Sequence, residues 1–157
     1  MAEIKSAEQH LAPVRKSIVV RRTPQEAFET FTGRIGSWWP LSKFSIFQAE
    51  AVTCAIEPRV GGKVEEVSKS GERGHWGTIR DWDPPRRFVM SWHPGSDPET
   101  ATEVELRFIE VPEGTRVDLE HRDWIKLGDR AEKTRGGYDQ GWAEVFERCY
   151  AESCEAN

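Results

Sequence analysis

Two hydrophobic periods divide this chain. Near its start and towards its end, apolar residues recur every three or four positions; between these stretches they alternate every second position. Val14 to Val20 (VRKSIVV), rich in β-branched residues, predicts a first strand. Thr23-Pro24-Gln25-Glu26 then predicts a helix start. Thr23 caps free amides, Pro24 suits the first helical position, and Glu26 closes a capping box. Ala27, Phe28, Phe31 and Ile35 give that helix one apolar face. Gly33 and Gly36 loosen its end, and Trp38-Trp39-Pro40 closes a second short helical turn that Pro40 cannot continue.

Residues 41–50 predict a loop carrying Phe44 and Phe47. Strands are expected at about 51–58, from Lys63 to Val67 after a Gly61-Gly62 turn, and from Gly74 to Trp82. Pro84-Pro85 forces a turn, because neither residue can donate to a ladder. Arg86 to His93 sets Phe88, Met90 and Trp92 against Arg87, Val89 and Ser91, the pattern of a half-buried strand. Thr102 to Glu110 points Val104, Leu106 and Phe108 inward. After a turn at Val111 to Gly114, Thr115, Val117, Leu119 and His121 share one face. Asp123 to Arg135 is expected to link this strand to the last element. There Tyr138, Trp142, Val145, Phe146, Cys149 and Tyr150 form an apolar stripe over more than three helical turns. Gly136-Gly137 is expected to free the chain just before that helix, or to break its first turn.

A consecutive antiparallel meander has one apolar face to hide, and only the C-terminal helix is long enough to cover it. The prediction is a two-layer α+β domain over residues 13–154, with residues 1–12 as a disordered tail. A length of 157 residues fits one domain, and a net charge of −5 without a basic stripe argues against nucleic acid. No apolar run approaches the roughly 20 residues of a membrane helix, and the polar N-terminus is not a secretory signal, so a cytoplasmic location is expected. Cys54, Cys149 and Cys154 are an odd set read as free thiols. No His or Cys spacing fits a metal site, and no Ser elbow or phosphate loop is present, so neither metal nor cofactor is expected.

Taken in order, Thr23-Pro24 to Phe28, Trp38-Trp39-Pro40, Gly61-Gly62, Gly77 to Trp92 through the Pro84-Pro85 turn, Gly114-Thr115 to His121, and Gly137 to Trp142 resemble the START-like (SRPBCC) superfamily. Within it the chain is similar to bacterial relatives of the domain that activates a heat-shock chaperone ATPase. The resemblance runs from about residue 14 to 152. It implies a helix-grip fold, a curved sheet of about seven strands around a long C-terminal helix, often with a cavity between them. That superfamily includes hydrophobic-ligand carriers, polyketide cyclases and co-chaperone domains, so the fold leaves the function open.

Seven tryptophans in one small domain mean either an interlocked core or an aromatic-lined pocket. As a pocket, the expected ligand is a small hydrophobic or aromatic molecule between sheet and helix. Trp76, Trp92, Trp142 and Phe146 would surround it, Trp39 and Phe47 would form a rim or lid, and His121 and Tyr138 would supply polar contacts. Trp124, with Ile125 and Leu127, would either cap the mouth or meet a protein partner. His121 reads either as a satisfied core histidine or as the acid–base group of a polyketide-cyclase-like enzyme. The readings are thus a ligand-binding module, a co-chaperone or protein-interaction domain, and an enzyme without a recognisable catalytic motif. Monomer and homodimer are both left open.

Overall fold

The computed structural model of the protein describes residues 11–156. The first strand, β1 (Val14–Val20), leads into α1 (Pro24–Phe31) and the short α2 (Ile35–Trp38). The capping box at α1 forms as its sequence requires. The Glu26 amide donates to Thr23 Oγ1 at 3.1 Å, and the Thr23 amide donates to Glu26 Oε1 at 3.1 Å. Six strands follow: β2 (Ala51–Ile56), β3 (Lys63–Ser68), β4 (Arg73–Asp83), β5 (Arg87–Trp92), β6 (Thr102–Val111) and β7 (Gly114–Arg122). They form one antiparallel sheet with β1 in the order β1-β7-β6-β5-β4-β3-β2, so β1 is the edge strand beside β7, opposite the β2 edge. Register shifts between Val64 and Glu65 and between Ile79 and Asp81 are bulges of the kind that bend a sheet. Gly77 sits beside such a bend, where a Cβ would come within 1.8 Å of the Ser91 carbonyl oxygen.

The chain then turns through a 3-10 segment (Trp124–Arg130) into α3. This helix runs as α-helix from Ala131–Trp142, as π-helix over Ala143–Tyr150 and again as α-helix from Ala151–Ala156. Gly136-Gly137 therefore lies inside the helix rather than before it. The apolar period could not show those first turns, because Ala131 is the one buried anchor before Trp142. Lys16 on β1 reaches Asp139 at 2.9 Å and Glu147 at 3.7 Å, which ties the helix to the sheet edge. Residues 1–10 of the expected tail lie outside the described residues. Of its last two residues, Leu11 packs on the core and the Ala12 carbonyl accepts from Arg135 Nε at 2.5 Å.

The space between sheet and helix has two different ends. At the α1 end it is solid: Phe28 packs edge-on against Trp82, Phe88 and Phe108, with centroids 5.1–5.7 Å away. Phe31, Trp38 and Tyr150 continue that cluster, and the Tyr150 hydroxyl donates to the Ala27 carbonyl at 2.7 Å. Phe146 stacks on Tyr150 and is fully buried. The other end is hollow and holds the candidate site.

The outer face of β5 is also buried, whereas its alternation predicts a half-buried strand. The cover comes from neighbouring strands rather than from a second layer. Glu105 on β6 lies opposite Val89 and accepts from Arg87 Nε at 2.5 Å, Arg107 Nε at 2.7 Å and Arg122 Nη1 at 2.6 Å. Its side chain is 4% exposed. Burial works to raise the Glu105 pKa, but the three guanidinium bonds outweigh it and hold the carboxyl at about 2. The folded pKa lies below the unfolded one, so the contribution is complete above about pH 4.5 and is lost as pH falls towards 2. Glu105→Gln is expected to cost roughly 1–3 kcal/mol at neutral pH, because the buried side chain loses three charge-assisted hydrogen bonds to partly exposed guanidinium groups. Urea unfolding of both proteins at pH 7 and again below pH 4 checks this. The gap should narrow in acid, and a pH-independent gap would assign the loss to packing.

Candidate functional site

A cavity of about 490 Å³ opens between the strand ends, the loop after α2 and the first turns of α3. Four indoles form its inner end. Trp39 lies 5.0 Å from Trp76 and 5.9 Å from both Trp92 and Trp142, centroid to centroid. Trp92 lies 5.6 Å from Trp76 and 5.7 Å from Trp142. Phe44, Ser45 and Ile46 make one wall, while Thr134, Gly137, Tyr138, Gly141 and Val145 make the other. Lys43, Lys133 and Gly137 are exposed lining residues and mark the mouth.

Each of these four ring N–H groups is used by the protein. Trp39 donates to the Phe44 carbonyl (2.7 Å), Trp76 to Glu66 Oε1 (2.6 Å), Trp92 to the Tyr138 hydroxyl (3.0 Å) and Trp142 to His121 Nδ1 (3.0 Å). The polar edges are satisfied, so the carbon surfaces of the rings line the space. Glu66, fully buried on β3, holds more than Trp76. It also accepts from the amides of Ile46 (2.5 Å) and Phe47 (3.1 Å), which anchors the loop wall to the sheet. Cys54 lies nearby, and its thiol is raised to about 12 by burial and by the Glu66 charge, so it is an inert thiol.

His121 is a structural hub. An indole N–H can only donate, so His121 Nδ1 accepts from Trp142, and the neutral ring carries its proton on Nε2. Nε2 then donates to Thr102 Oγ1 at 2.7 Å, and Thr102 donates onward to the Trp92 carbonyl at 3.1 Å. The Trp124 ring packs 4.1 Å from the histidine ring and donates to the His121 carbonyl at 3.0 Å. Burial lowers the His121 pKa to about 3. Both ring nitrogens are engaged within the protein, so the acid–base role open to this residue in the sequence has no free nitrogen to work with.

The structure thus brings Trp39, Trp76, Trp92, Tyr138 and Trp142 together around the cavity. Trp39 is a buried member of the indole cluster rather than a rim residue. Phe47, Phe146, His121 and Trp124 do not line the cavity. Phe47 stands one residue beyond the wall formed by Phe44 and Ile46. Phe146 belongs to the solid end, and His121 with Trp124 stands behind Trp142. Trp124 is therefore neither a cap nor an outward patch; Ile125 beside it is 74% exposed. Glu66 escaped the sequence reading, although its alternation with buried Val64 and Ser68 carried the signal. Lys43, Phe44, Ile46 and Lys133 sit in stretches whose period says nothing about direction. Among the described residues no group of three or more His, Cys, Asp or Glu side chains is placed to hold a metal. Among them, too, no helix is long and apolar enough to cross a membrane.

The hub has a pH consequence. The unfolded chain binds a proton at His121 near pH 6.5, whereas the folded chain excludes it until about pH 3. Folding stability contributed by this residue therefore falls as pH drops from about 6.5 towards 3. His121→Asn is expected to be less stable at pH 7 by about 1–3 kcal/mol, through lost hydrogen bonds, and to approach the parent protein as the medium is acidified. Denaturant midpoints between neutral pH and pH 4 check this; parallel curves for the two proteins would show that His121 does not carry the proton linkage.

Residues 21–151 match the family described as activator of Hsp90 ATPase homolog 1-like protein. Among solved structures, an anthrahydroquino-gamma-pyrone synthase, Txn09, solved in a complex, is 33% identical, with a TM-score of 0.62 over 90% of this chain and 96% of that one. The self-sacrificing resistance protein CalC from Micromonospora echinospora is 26% identical, with a TM-score of 0.65 over 94% and 96% of the two chains. Protein MLL2253 from Mesorhizobium loti shares the fold at 15% identity, with a TM-score of 0.66 over 92% and 98%. No curated protein sequence matches the chain.

Proposed function

The chain belongs to the activator of Hsp90 ATPase homolog 1-like family, and on that premise we propose that it binds a flat aromatic small molecule in the indole-walled cavity. One observation carries this reading. Four tryptophans converge on one space with every ring N–H tied to a protein acceptor, and what remains facing the space is apolar and aromatic. A volume of about 490 Å³ is within the ordinary range for a small-molecule pocket. Water against such a wall finds few partners and is readily displaced by an apolar group. The 33% identity to a synthase of a polycyclic aromatic product supports the choice of a flat ring system over a flexible lipid.

The same identity favours a second reading, in which the cavity holds a chain in the shape needed for ring closure. His121 has no free nitrogen for that chemistry, whereas Tyr138 lines the cavity and its hydroxyl is held at the indole cluster by Trp92. Under this reading Tyr138→Phe lowers turnover of an aromatic polyketide substrate more than it lowers binding, which single-turnover kinetics would resolve. A co-chaperone role needs an exposed docking patch. The large hydrophobic residues exposed among the described residues are Val19, Val52, Val60 and Ile125, scattered over separate elements, and Trp124 is buried.

Gly137 separates binding from folding. A Cβ at this position meets nothing within 4 Å, and the residue faces the mouth from within a helix. Gly137→Leu is therefore expected to fill the mouth while improving helix propensity by up to about 1 kcal/mol. In a thermal-shift panel of anthraquinones and related ring systems, a ligand at 100 times its dissociation constant adds about 2.7 kcal/mol to the parent protein. The substitution should weaken the response at least tenfold without lowering the melting point of the free protein. An undiminished saturable response in Gly137→Leu would place the ligand elsewhere.

A further inference from the structure

The cavity has a polarity of its own, and resting on the reading above it specifies the ligand's chemistry further. At the mouth stand Lys43 and Lys133, and no aspartate or glutamate lines the cavity. This bias occurs in a chain whose net charge is −5. Neither lysine pairs with an acid among the described residues. Glu144, which feels the Lys43 charge, is taken up by Arg148, from which it accepts two bonds. The guanidinium groups on the outer sheet face, by contrast, are paired: Arg15, Arg87, Arg107 and Arg122 all meet carboxylates within 3.0 Å.

Among the lining side chains, Tyr138 carries a hydroxyl oriented by a bond to the indole cluster. Tyr138 Oη accepts the Trp92 N–H at 3.0 Å, so its own proton is left to donate. Burial raises the Tyr138 pKa, which keeps that proton in place at neutral pH. The inner wall therefore offers a donor to an acceptor oxygen, and the mouth offers two cations to an anion. We infer that the ligand is an anionic aromatic ketone or quinone, with its ring system among the four indoles, a carbonyl oxygen on the Tyr138 hydroxyl and a carboxylate between Lys43 and Lys133.

A matched pair of probes tests this, anthraquinone-2-carboxylate and anthraquinone-2-carboxamide, which differ in charge and hardly in shape. Calorimetric titration at low and high salt would use the parent protein, the Lys43→Gln/Lys133→Gln double variant and Tyr138→Phe. The carboxylate is expected to bind about tenfold more tightly than the carboxamide at low salt, a preference that added salt erodes. In the double lysine variant the two probes should bind within about twofold of each other, with the carboxamide affinity unchanged. Tyr138→Phe should weaken both probes alike, by about fivefold, through loss of the shared carbonyl contact. Equal binding of the two probes to the parent protein, or a preference that survives the lysine substitutions, overturns the anionic assignment and leaves the cavity reading intact. Failure of both probes to bind overturns the two together.

Discussion

The hydrogen-bonded line from Trp142 through His121 and Thr102 to the Trp92 carbonyl is the constraint on which this molecule depends. It runs from the C-terminal helix, through β7 and across to the end of β5, linking both layers by polar contacts inside an apolar space. Each member is satisfied only if the others are in place, so the line fixes helix position and sheet curvature together. It also determines which face of Trp142 meets the cavity. Beside it, the Trp92–Tyr138 bond and the Lys16–Asp139 ion pair also tie the layers by polar contacts, and neither reaches as far across the sheet.

With that line in place, the filled and hollow ends follow from side-chain size and attachment. At the α1 end, phenyl rings interlock at edge-on distances, and Tyr150 ties the helix to α1. At the other end each indole is held by its own N–H bond to a different element: the loop after α2, β3, α3 and β7. The π-helical stretch begins directly after Trp142 and widens the helix where the filled end takes over from the hollow one.

Much of the fold was legible in the sequence because its signals are local. The alternation of Val104, Leu106 and Phe108, the Thr23-Glu26 cap and the stripe from Tyr138 to Tyr150 each report a face or an end without knowledge of the rest. The position of His121 on the inner face was legible for the same reason. Its role was not, since the partners that occupy both nitrogens are 19 and 21 residues away. The start of α3 was hidden by Gly136-Gly137, which the helix tolerates within a longer span. The buried outer face of β5 was hidden because Glu105 and its three arginines cover it from two other strands as well as its own. In the loop wall, sequence offers no period to choose Phe44 and Ile46 over Phe47; that choice is made by Glu66 gripping two backbone amides.

The division between a locked floor and an unengaged mouth has an evolutionary meaning. Every indole in the floor has a polar partner within the protein, so a change there disturbs a bond as well as a surface. At the mouth, Lys43 and Lys133 are exposed, and Gly137 faces open space. Substitutions at these three positions alter the opening and its charge while leaving the hydrogen-bonded frame untouched. Descendants of this chain can therefore diverge in ligand preference through the rim alone, with little penalty to folding, while the aromatic interior is inherited unchanged.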